Sequence, residues 1–370
     1  MVPYIIHRLL LMIPTLLGIT IVVFLTMAMT PGGMTAQLEQ MTKGMRPAEA
    51  KAVRDYMEER YGLDKPVWVQ YVTWLNQISP IGRWDNPDTA GWGMEIGRNE
   101  DGQPIYLGLK TPNLGQSFLK GARVSTLLAS AAPVTILLNL FALPIVYFIA
   151  LTTGVYAGQH RGRWFDVASS IVLLGLWSIP VMWTGVMLIG FFASRDFLYW
   201  FPTGGLHSLN AAQMPFLPHW ANGEFQPGWL LDMLWHLVLP VICLSYTSMA
   251  FLSKLMRAAV LENLSADFVR TARAKGVPQR DVLWRHVFRN SLLPLITIAA
   301  TLVPALLSGT LIVEEIFSLN GMGRLMIEAV KNKDRDLVMS ITFVISLLSL
   351  LSLILRDVCY AIADPRVSFD

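Results

Sequence analysis

The chain has 370 residues, of which 54% are hydrophobic and 15% charged, and its mean hydropathy is +0.47. Water-soluble domains of ordinary composition are less apolar, so the sequence predicts an integral membrane protein. The formal net charge of +3 is spread over several loops, which argues against nucleic-acid binding. Cys243 and Cys359 lie far apart, and we expect two free thiols with neither a disulfide nor a metal-ligand cluster.

Six apolar segments predict six transmembrane helices. The first, residues 9–29, is uncharged and about 31 Å long as a helix, enough to cross the hydrocarbon core. No signal-peptide cleavage pattern follows it, so we interpret it as a retained helix. The uncharged region 124–159 is too long for one crossing, and we expect a lead-in helix over 125–132 before Pro133 and a second span ending near Tyr156. The other predicted spans are 167–193, 234–253, 291–313 and 337–355.

Basic residues in the short loops predict the orientation. Arg8, Arg161, Arg163 and the region 254–290 fall on one side, as does the C-terminal tail. Loops rich in lysine and arginine face the cytoplasm, so both termini are expected there. The opposite side carries Arg195, but also a basic group before the last span: Arg324, Lys331, Lys333 and Arg335.

A long polar segment follows the first span. Residues 30–123 have balanced charge and predict an external subdomain, with a helix over 47–61 that ends at Gly62. Proline and glycine make residues 80–113 a loop or short hairpin. We therefore divide the chain into the N-terminus with the first span (1–29), the external subdomain (30–123), the core (124–313, including the cytoplasmic loop 254–290), an external re-entrant connection (314–336), and the last span with a cytoplasmic tail (337–370).

Within the loop 254–290, a short capped helix is expected outside the bilayer. Ser265 is the predicted N-cap, Asp267 lies in the first turn, and Gly276 followed by Pro278 ends the helix. Arg270 and Arg273 share a face that suits an acidic partner. A soluble protein would use such an element to act on the membrane part. The caps and spacing equally support a solvated loop whose arginines only fix the topology.

The sequence lacks the motifs of an enzyme. It has no phosphate-binding Gly-Lys-Ser/Thr loop, so we expect no ATP hydrolysis by this chain alone. It has no H-E-x-x-H or G-x-S-x-G pattern, and its six histidines are scattered, which argues against a metal site. Glu314 and Glu315 come closest to the buried carboxylates of an ion-driven carrier. We therefore expect no catalytic residue, metal or cofactor here, and a passive membrane component driven by other subunits.

Ordered motifs along nearly the whole chain resemble one family, the permease subunits of bacterial ABC importers of the dipeptide/oligopeptide/nickel class. The sequence is similar to the first of the two homologous permeases in such systems. The motifs are Ile6-His7-Arg8-Leu9-Leu10, Arg60-Tyr61-Gly62-Leu63-Asp64-Lys65-Pro66, Asn113-Leu114-Gly115-Gln116-Ser117, Pro133-Val134-Thr135, Ser178-Ile179-Pro180, Phe201-Pro202-Thr203-Gly204-Gly205, Thr271-Ala272-Arg273-Ala274-Lys275-Gly276, Val313-Glu314-Glu315-Ile316-Phe317 and Ala363-Asp364-Pro365-Arg366.

This resemblance implies an all-α integral membrane fold of the ABC type I importer permease kind, with six transmembrane helices and an external subdomain between the first two. It implies a bacterial cytoplasmic (inner) membrane location. The implied partners are the lipid bilayer, a homologous second permease, two ABC ATPase subunits that bind ATP and Mg, an external solute-binding protein, and a peptide or peptide-like solute. Nucleic acid is not among them.

In the family, the cytoplasmic helix inserts into a groove on the ATPase subunit. The wider superfamily carries a Glu-Ala-Ala-x-x-x-Gly pattern there, and this chain keeps only Ala272 and Gly276 of it. That departure is typical of the peptide class and leaves open which side chains make the contact. The resemblance favours the coupling role for the residues Asp267, Arg270, Thr271, Ala272, Arg273, Ala274, Lys275 and Gly276.

Polar residues within the spans are candidates for a substrate path. They are Asn139, Ser178, Thr184, Tyr246, Thr297 and Ser308. For any one of them, a hydrogen bond between helices without substrate contact is an open alternative. Pro180, with Pro240, Pro294 and Pro304, is either a hinge or a kink fixed by packing. For Glu314 and Glu315, we favour a structural role over gating.

The main functional prediction is a permease subunit that forms half of a translocation pathway and couples to ATPases through residues 265–276. A second class is a membrane-bound assembly or signalling protein whose external subdomain recognises a partner. An ion-driven carrier or membrane enzyme lacks the required buried charges or catalytic cluster. The sequence leaves the solute open among peptides, nickel chelates, opines, sugars and peptide antibiotics.

Overall fold

The computed structural model describes residues 2–29, 42–61, 65–84, 91–99, 103–117, 120–221, 224–299 and 310–363. Helices dominate, and each apolar segment in these ranges is helical because a helix satisfies its own backbone groups without water. Within the described ranges, four helices are long and apolar enough to cross a membrane, and one bent pair forms a fifth candidate. The predicted span 291–313 lies partly outside the described residues. The chain divides into two compact units: residues 9–129 with 326–346, and residues 1–8, 130–325 and 347–370.

The unit of residues 9–129 and 326–346 contains most of the first helix, α1 (Val2–Met29). It also holds α2 (Pro47–Tyr61), which confirms the helix predicted there, and α3 (Val67–Ile78). Its core is a cluster of Phe24, Trp74, Ile78 and Met339. Apolar burial against α3 therefore fixes the C-terminal half of α1.

A three-stranded antiparallel sheet occupies part of the region predicted as loop or short hairpin. Its strands are β1 (Ile81–Trp84), β2 (Gly91–Arg98) and β3 (Pro104–Lys110), in the order β1-β3-β2. Gly91 and Gly93 are required because an added Cβ would lie 2.6 and 2.7 Å from the Trp84 ring. The prediction was therefore incomplete: these glycines make room for an aromatic ring rather than break the strand.

The motif from Asn113 to Ser117 packs within the same unit on the start of the last helix, α14 (Arg335–Ala363). Ser117 Oγ donates to Asp334 at 2.5 Å, and Ser340 Oγ donates to the Leu114 carbonyl at 2.6 Å. Two short strands, β4 (Gln116–Ser117) and β5 (Ala122–Arg123), close this segment. Gly115 has φ of +82°, and an added Cβ would lie 2.5 Å from Asp336, so the motif needs glycine there.

The other unit is a helical core. Its elements in chain order are α4 (Val124–Gln159), α5 (Trp164–Ser178), α6 (Val181–Leu188) with a π-helical end (Ile189–Ala193), a 3-10 turn (Ala211–Gln213), β6 (His219–Ala221), β7 (Glu224–Gln226), α7 (Gly228–Ser265), α8 (Asp267–Ala274), α9 (Gln279–Asp281), a π-helical segment (Val282–Phe288), α10 (Arg289–Ser291), α11 (Leu293–Ala299), α12 (Leu311–Ile316) and α13 (Met322–Lys331). The helices α4 and α13 also extend into the unit of residues 9–129 and 326–346.

Three of the differences from the predicted helices concern the path of the chain through the core. No separate lead-in helix exists, because α4 continues through Pro133 and Pro144; apolar helices tolerate proline where neighbouring groups satisfy the freed backbone. The long helix α7 continues beyond its predicted end at residue 253 to Ser265, so the first third of the predicted loop is helical. The predicted third span is broken: α5 and the α6 segment meet at an angle of 92°.

Candidate functional site

The α8 helix is the element predicted to lie outside the bilayer. Its predicted N-cap is wrong: Ala266 is the extended residue before the helix, and no side chain caps it. Ser265 Oγ instead donates to the Glu262 carbonyl at 2.8 Å, because α7 continues through Ser265. The predicted end is confirmed. Gly276 has φ of +77° with no atom within 4 Å of an added Cβ, so glycine is needed for the backbone turn alone.

One face of α8 is anchored in a buried apolar cluster. Val269 is 0% exposed and Ala272 7%, one turn apart. They pack with Met256 and Val260 of α7 and with Val282, which lies in the π-helical segment. Because the apolar side chains of three elements meet here, α8 is fixed to the end of α7 rather than loosely tethered.

The opposite face of α8 is solvent-exposed. Asp267, Arg270, Thr271 and Ala274 lie on it, and Arg273, Lys275 and Gly276 are exposed beside it. The guanidinium of Arg270 lies 3.5 Å from Asp267, but both side chains are mostly exposed, so this ion pair contributes little. Thr271 Oγ1 donates to the Asp267 carbonyl at 2.9 Å. A partner could therefore bind the basic side chains of this face without breaking strong contacts within the chain. Of the predicted set, only Ala272 points inward.

Two glycines, which the sequence analysis did not single out, bring α4 close to α7. An added Cβ at Gly154 would lie 2.6 Å from Met256 Cβ, and one at Gly158 would lie 2.7 Å from Val260 Cγ1. The spacing Gly154-x-x-x-Gly158 is the small-residue pattern that lets membrane helices approach closely, and it is visible in the sequence. Met256 and Val260 are the same side chains that hold α8. The glycines therefore bring α4 against the same part of α7 on which α8 packs.

A partly buried ion pair, also not predicted, joins α5 to α7. Arg257 Nη2 donates to Asp166 Oδ2 at 2.8 Å, and the Gly162 amide donates to the same oxygen at 2.9 Å. Asp166 is 3% exposed and lies in the first turn of α5, where a carboxylate is favoured by the helix dipole. This end of the two helices is therefore locked by charge as well as by packing.

Three of the predicted path residues lie together at the break between α5 and α6. Tyr246 OH donates to the Ile179 carbonyl at 2.6 Å, and Thr184 Oγ1 donates to Tyr246 OH at 2.9 Å. Ser178 Oγ donates to the Leu174 carbonyl at 2.8 Å within the last turn of α5. Ile179 and Pro180 are extended. A hydroxyl from α7 therefore satisfies a carbonyl that the break removes from the helix.

The other two path candidates that the structure describes lie outside this group. Asn139 is buried and donates to the Thr135 carbonyl at 2.9 Å, and Thr297 donates to the Leu293 carbonyl at 3.0 Å. Each of these bonds lies within one helix and not between two helices, as the alternative interpretation expected. Ser308 lies outside the described residues.

A cavity of about 490 Å³ adjoins the break. Its described lining combines the hydroxyls of Ser178 and Thr184 with aromatic and aliphatic side chains, and none of these lining residues is ionisable. Trp183, which lines it, is 60% exposed. The sequence analysis considered the hydroxyls but not this aromatic wall.

Glu314 organises the turn between α12 and α13. It is 0% exposed and accepts hydrogen bonds from Thr135 Oγ1 at 2.9 Å, the Thr310 amide at 3.1 Å and the Arg324 amide at 3.0 Å. Thr135 Oγ1 in turn accepts from the Met322 amide at 2.8 Å. The carboxylate thus ties the turn to α4, which agrees with the structural role favoured above.

Two histidines converge on Asp232 at the start of α7. His207 Nδ1 and His236 Nδ1 each lie 3.7 Å from a carboxylate oxygen of Asp232. Burial lowers the pKa of His207, while the charge of Asp232 acts in the opposite direction. No group of three or more metal-binding side chains occurs among the described residues.

Comparisons with known proteins identify relatives over the full length. Residues 150–369 match the family described as binding-protein-dependent transport system inner membrane component. The oligopeptide transport system permease protein AppB of Bacillus subtilis is 33% identical over 369 residues, covering 100% of both chains. The inner membrane ABC transporter permease protein YejB of Escherichia coli is 30% identical over 400 residues, covering 99% of each. The peptidoglycan transport system permease protein YejB of Agrobacterium fabrum is 32% identical, covering 99% of this chain and 98% of its own.

Proposed function

The chain belongs to the family of binding-protein-dependent transport system inner membrane components, the permease subunits of ABC transporters, and from this premise we propose that it forms half of the pathway of an ATP-driven importer for peptides or peptide-like solutes. As a permease subunit it has no enzymatic activity of its own. Relatives whose names refer to peptide and oligopeptide transport support the solute class. The chain is a multi-pass membrane protein.

The observation that carries the mechanism is the two-sided α8 helix. Its inner face is packed in the cluster of Val269, Ala272, Met256 and Val260, and its outer face exposes Arg270 and Arg273. ATP binding can drive solute movement only if the ATPases contact two arrangements of the membrane helices with different free energies. A helix fixed to α7 on one face and free on the other meets that requirement. The residues 267–276 are therefore the proposed contact with an ATPase subunit.

The proposed complex contains this chain, a homologous second permease, two ABC ATPase subunits and an external solute-binding protein. ATP and Mg bind to the ATPase subunits. Both termini and α8 lie in the cytoplasm, because the short loops on that side carry the excess of arginine and lysine. The external subdomain, residues 30–123, is the proposed docking surface for the solute-binding protein.

Charge reversal on α8 tests this proposal. The variant Arg270→Glu with Arg273→Glu changes two exposed side chains and leaves Val269 and Ala272 in place, so the fold should be retained. In proteoliposomes with all partner subunits, solute-stimulated ATP hydrolysis should fall at least about tenfold, as expected when close charge pairs at an interface become repulsive.

The control reverses the same amount of charge at exposed positions that are predicted to lie outside the cell and beyond the proposed docking surface, Arg195→Glu with Lys331→Glu. Solute-stimulated ATP hydrolysis by that complex should stay within about twofold of the unaltered complex, because solvent-exposed charges away from an interface contribute little to stability or binding. Equal activity of the two double variants would refute α8 as the coupling element.

A further inference from the structure

The break between α5 and α6 lies at mid-depth of the membrane part. Two features bracket it on α7. At one end the Trp235 indole donates to the Trp200 carbonyl at 2.9 Å and its ring stacks on Phe201, as aromatic residues do at a membrane interface. At the other end Arg257 pairs with Asp166. Tyr246 is eleven residues from each of Trp235 and Arg257, about 16 Å along the helix in either direction. Together these cover about 33 Å, close to the hydrocarbon thickness.

Extended backbone at this depth cannot face lipid. A helix end leaves up to four carbonyl or amide groups without intrahelical partners, and lipid tails offer no hydrogen bonds. Tyr246 supplies a donor to one of these groups, the Ile179 carbonyl. No other part of the described chain covers the break: Ile179 is 45% exposed, and Ser178 and Pro180 are exposed. Non-helical backbone in such a position requires either another protein or a water-filled space.

The cavity beside the break favours the water-filled space. It is concave, has a volume of about 490 Å³, and is lined by hydroxyls together with Trp183, Met187 and Phe191. A concave surface lined mostly by apolar side chains with a few hydroxyls is the usual character of a small-molecule site. Hydroxyls suit the amide groups of a peptide, and the aromatic and thioether side chains suit uncharged side chains. A charged side chain would find no ionic partner among the described lining residues.

We propose that the α5–α6 break lines the solute pathway at its midpoint and contacts the uncharged side chains of the moving peptide. This inference rests on the proposed function. It names the solute-contact element and a preference that acts after release from the binding protein: neutral and aromatic side chains pass more readily than charged ones.

Cysteine accessibility tests the position. Ser178→Cys is made with Cys243→Ala and Cys359→Ala, and the complex is treated in proteoliposomes with a membrane-impermeant methanethiosulfonate. The thiol should react, and the solute-binding protein loaded with Ala-Phe-Ala should slow the reaction at least about threefold. Thr152→Cys is the matched control, because its hydroxyl also donates to the carbonyl four residues earlier, Phe148, at 2.8 Å in a regular helix. No protection is expected there.

An unreactive Ser178→Cys, or equal rates with and without peptide, overturns the inference. Import of Ala-Phe-Ala by the same complex would then leave the proposed function standing. Failure of the unaltered complex to import any of Ala-Ala-Ala, Ala-Phe-Ala and Ala-Lys-Ala contradicts the proposed function itself.

Selectivity gives a second measurement. Trp183→Ala removes an aromatic contact worth up to about tenfold in rate, so the import of Ala-Phe-Ala relative to Ala-Ala-Ala should fall about three- to tenfold. Solute-independent ATP hydrolysis reports whether the variant complex has assembled. An unchanged import ratio in an assembled complex would contradict the role of the aromatic wall.

Discussion

At the scale of single residues, Glu314 shows how one carboxylate can determine the shape of a turn. Three donors point at its two oxygens, and only a carboxylate accepts from all of them. Two neighbouring glycines are explained by the same group: an added Cβ at Gly321 would lie 2.5 Å from Glu314 Oε2, and one at Gly323 would lie 3.1 Å from it. The motif that contains these residues is therefore one hydrogen-bonded unit.

Replacing Glu314 by Gln places an amide donor against backbone amide donors. We expect a loss of about 1–3 kcal/mol in the free energy of unfolding, since one buried donor is left unsatisfied. Thermal unfolding of the purified complex in detergent measures this. Glu315→Gln is the control, because the Glu315 side chain is 39% exposed and its pairing with Arg324 is long, at 3.6 Å. Equal thermal unfolding midpoints for Glu314→Gln and Glu315→Gln would argue against a stabilising role for the hydrogen bonds to Glu314.

Tyr246 offers a similar comparison of two hydroxyls. Tyr246→Phe leaves the Ile179 carbonyl without its 2.6 Å donor, and we expect destabilisation of about 1–3 kcal/mol together with slower import. Tyr147→Phe removes a buried hydroxyl that has no hydrogen-bond partner among the described residues. That variant should be neutral or slightly stabilising. If Tyr147→Phe proves the more damaging change, the hydroxyl of Tyr246 does not hold the break.

At the scale of elements, the contact between α4 and α7 depends on absent side chains. Gly154→Ala would place a methyl group 2.6 Å from Met256 Cβ and 2.8 Å from the Ser253 carbonyl. Overpacking of this kind costs about 1–3 kcal/mol, so the unfolding midpoint of the complex should fall. Gly175→Ala is the control: its added Cβ meets no atom within 4 Å, and alanine favours the helix by about 0.5–1 kcal/mol. A variant at Gly154 as stable as that at Gly175 would contradict the close approach.

Structural features that depend on residues within one element were predicted from the sequence. Features that depend on contact with a second element were not. The end of α8 at Gly276 and the bounds of α2 follow from glycine and proline signals within a few residues. Ser265 was assigned to the wrong helix because the use of its hydroxyl depends on the length of α7. Pro180 was recognised as a hinge or kink, but the Ile179 carbonyl at the 92° bend is hydrogen-bonded by Tyr246, which lies 66 positions after Pro180. The sheet β1-β3-β2 was missed because its glycines pack under Trp84.

The candidate site follows the same division between features of one element and contacts between elements. The amphipathic pattern of α8 is present in eight residues, so its exposed cations could be named in advance. The Asp166–Arg257 pair joins residues 91 positions apart, and nothing near either residue indicates the partner. Among the path candidates, hydroxyl content alone did not separate Thr184 and Tyr246, which meet across two helices, from Asn139 and Thr297, which bond within their own.

At the scale of the whole molecule, membrane orientation is the prediction on which the functional proposal depends. In a variant with Cys243→Ala and Cys359→Ala, an impermeant thiol reagent added to intact cells should label Arg195→Cys and leave Lys275→Cys unlabelled, since the basic loops are retained inside. Inverted vesicles should give the opposite pattern. Labelling of Lys275→Cys in intact cells would place α8 outside and remove its access to any cytoplasmic ATPase.

The long helix α7 has a mechanical consequence. Between Pro240 and its end at Ser265 it contains neither glycine nor proline, so this segment has none of the residues at which helices usually bend. Its far end bears the anchored face of α8, and Tyr246 lies on the same uninterrupted rod. A displacement applied at the α8 end can therefore reach the Tyr246 hydroxyl beside Ile179 without loss to bending at a glycine or proline.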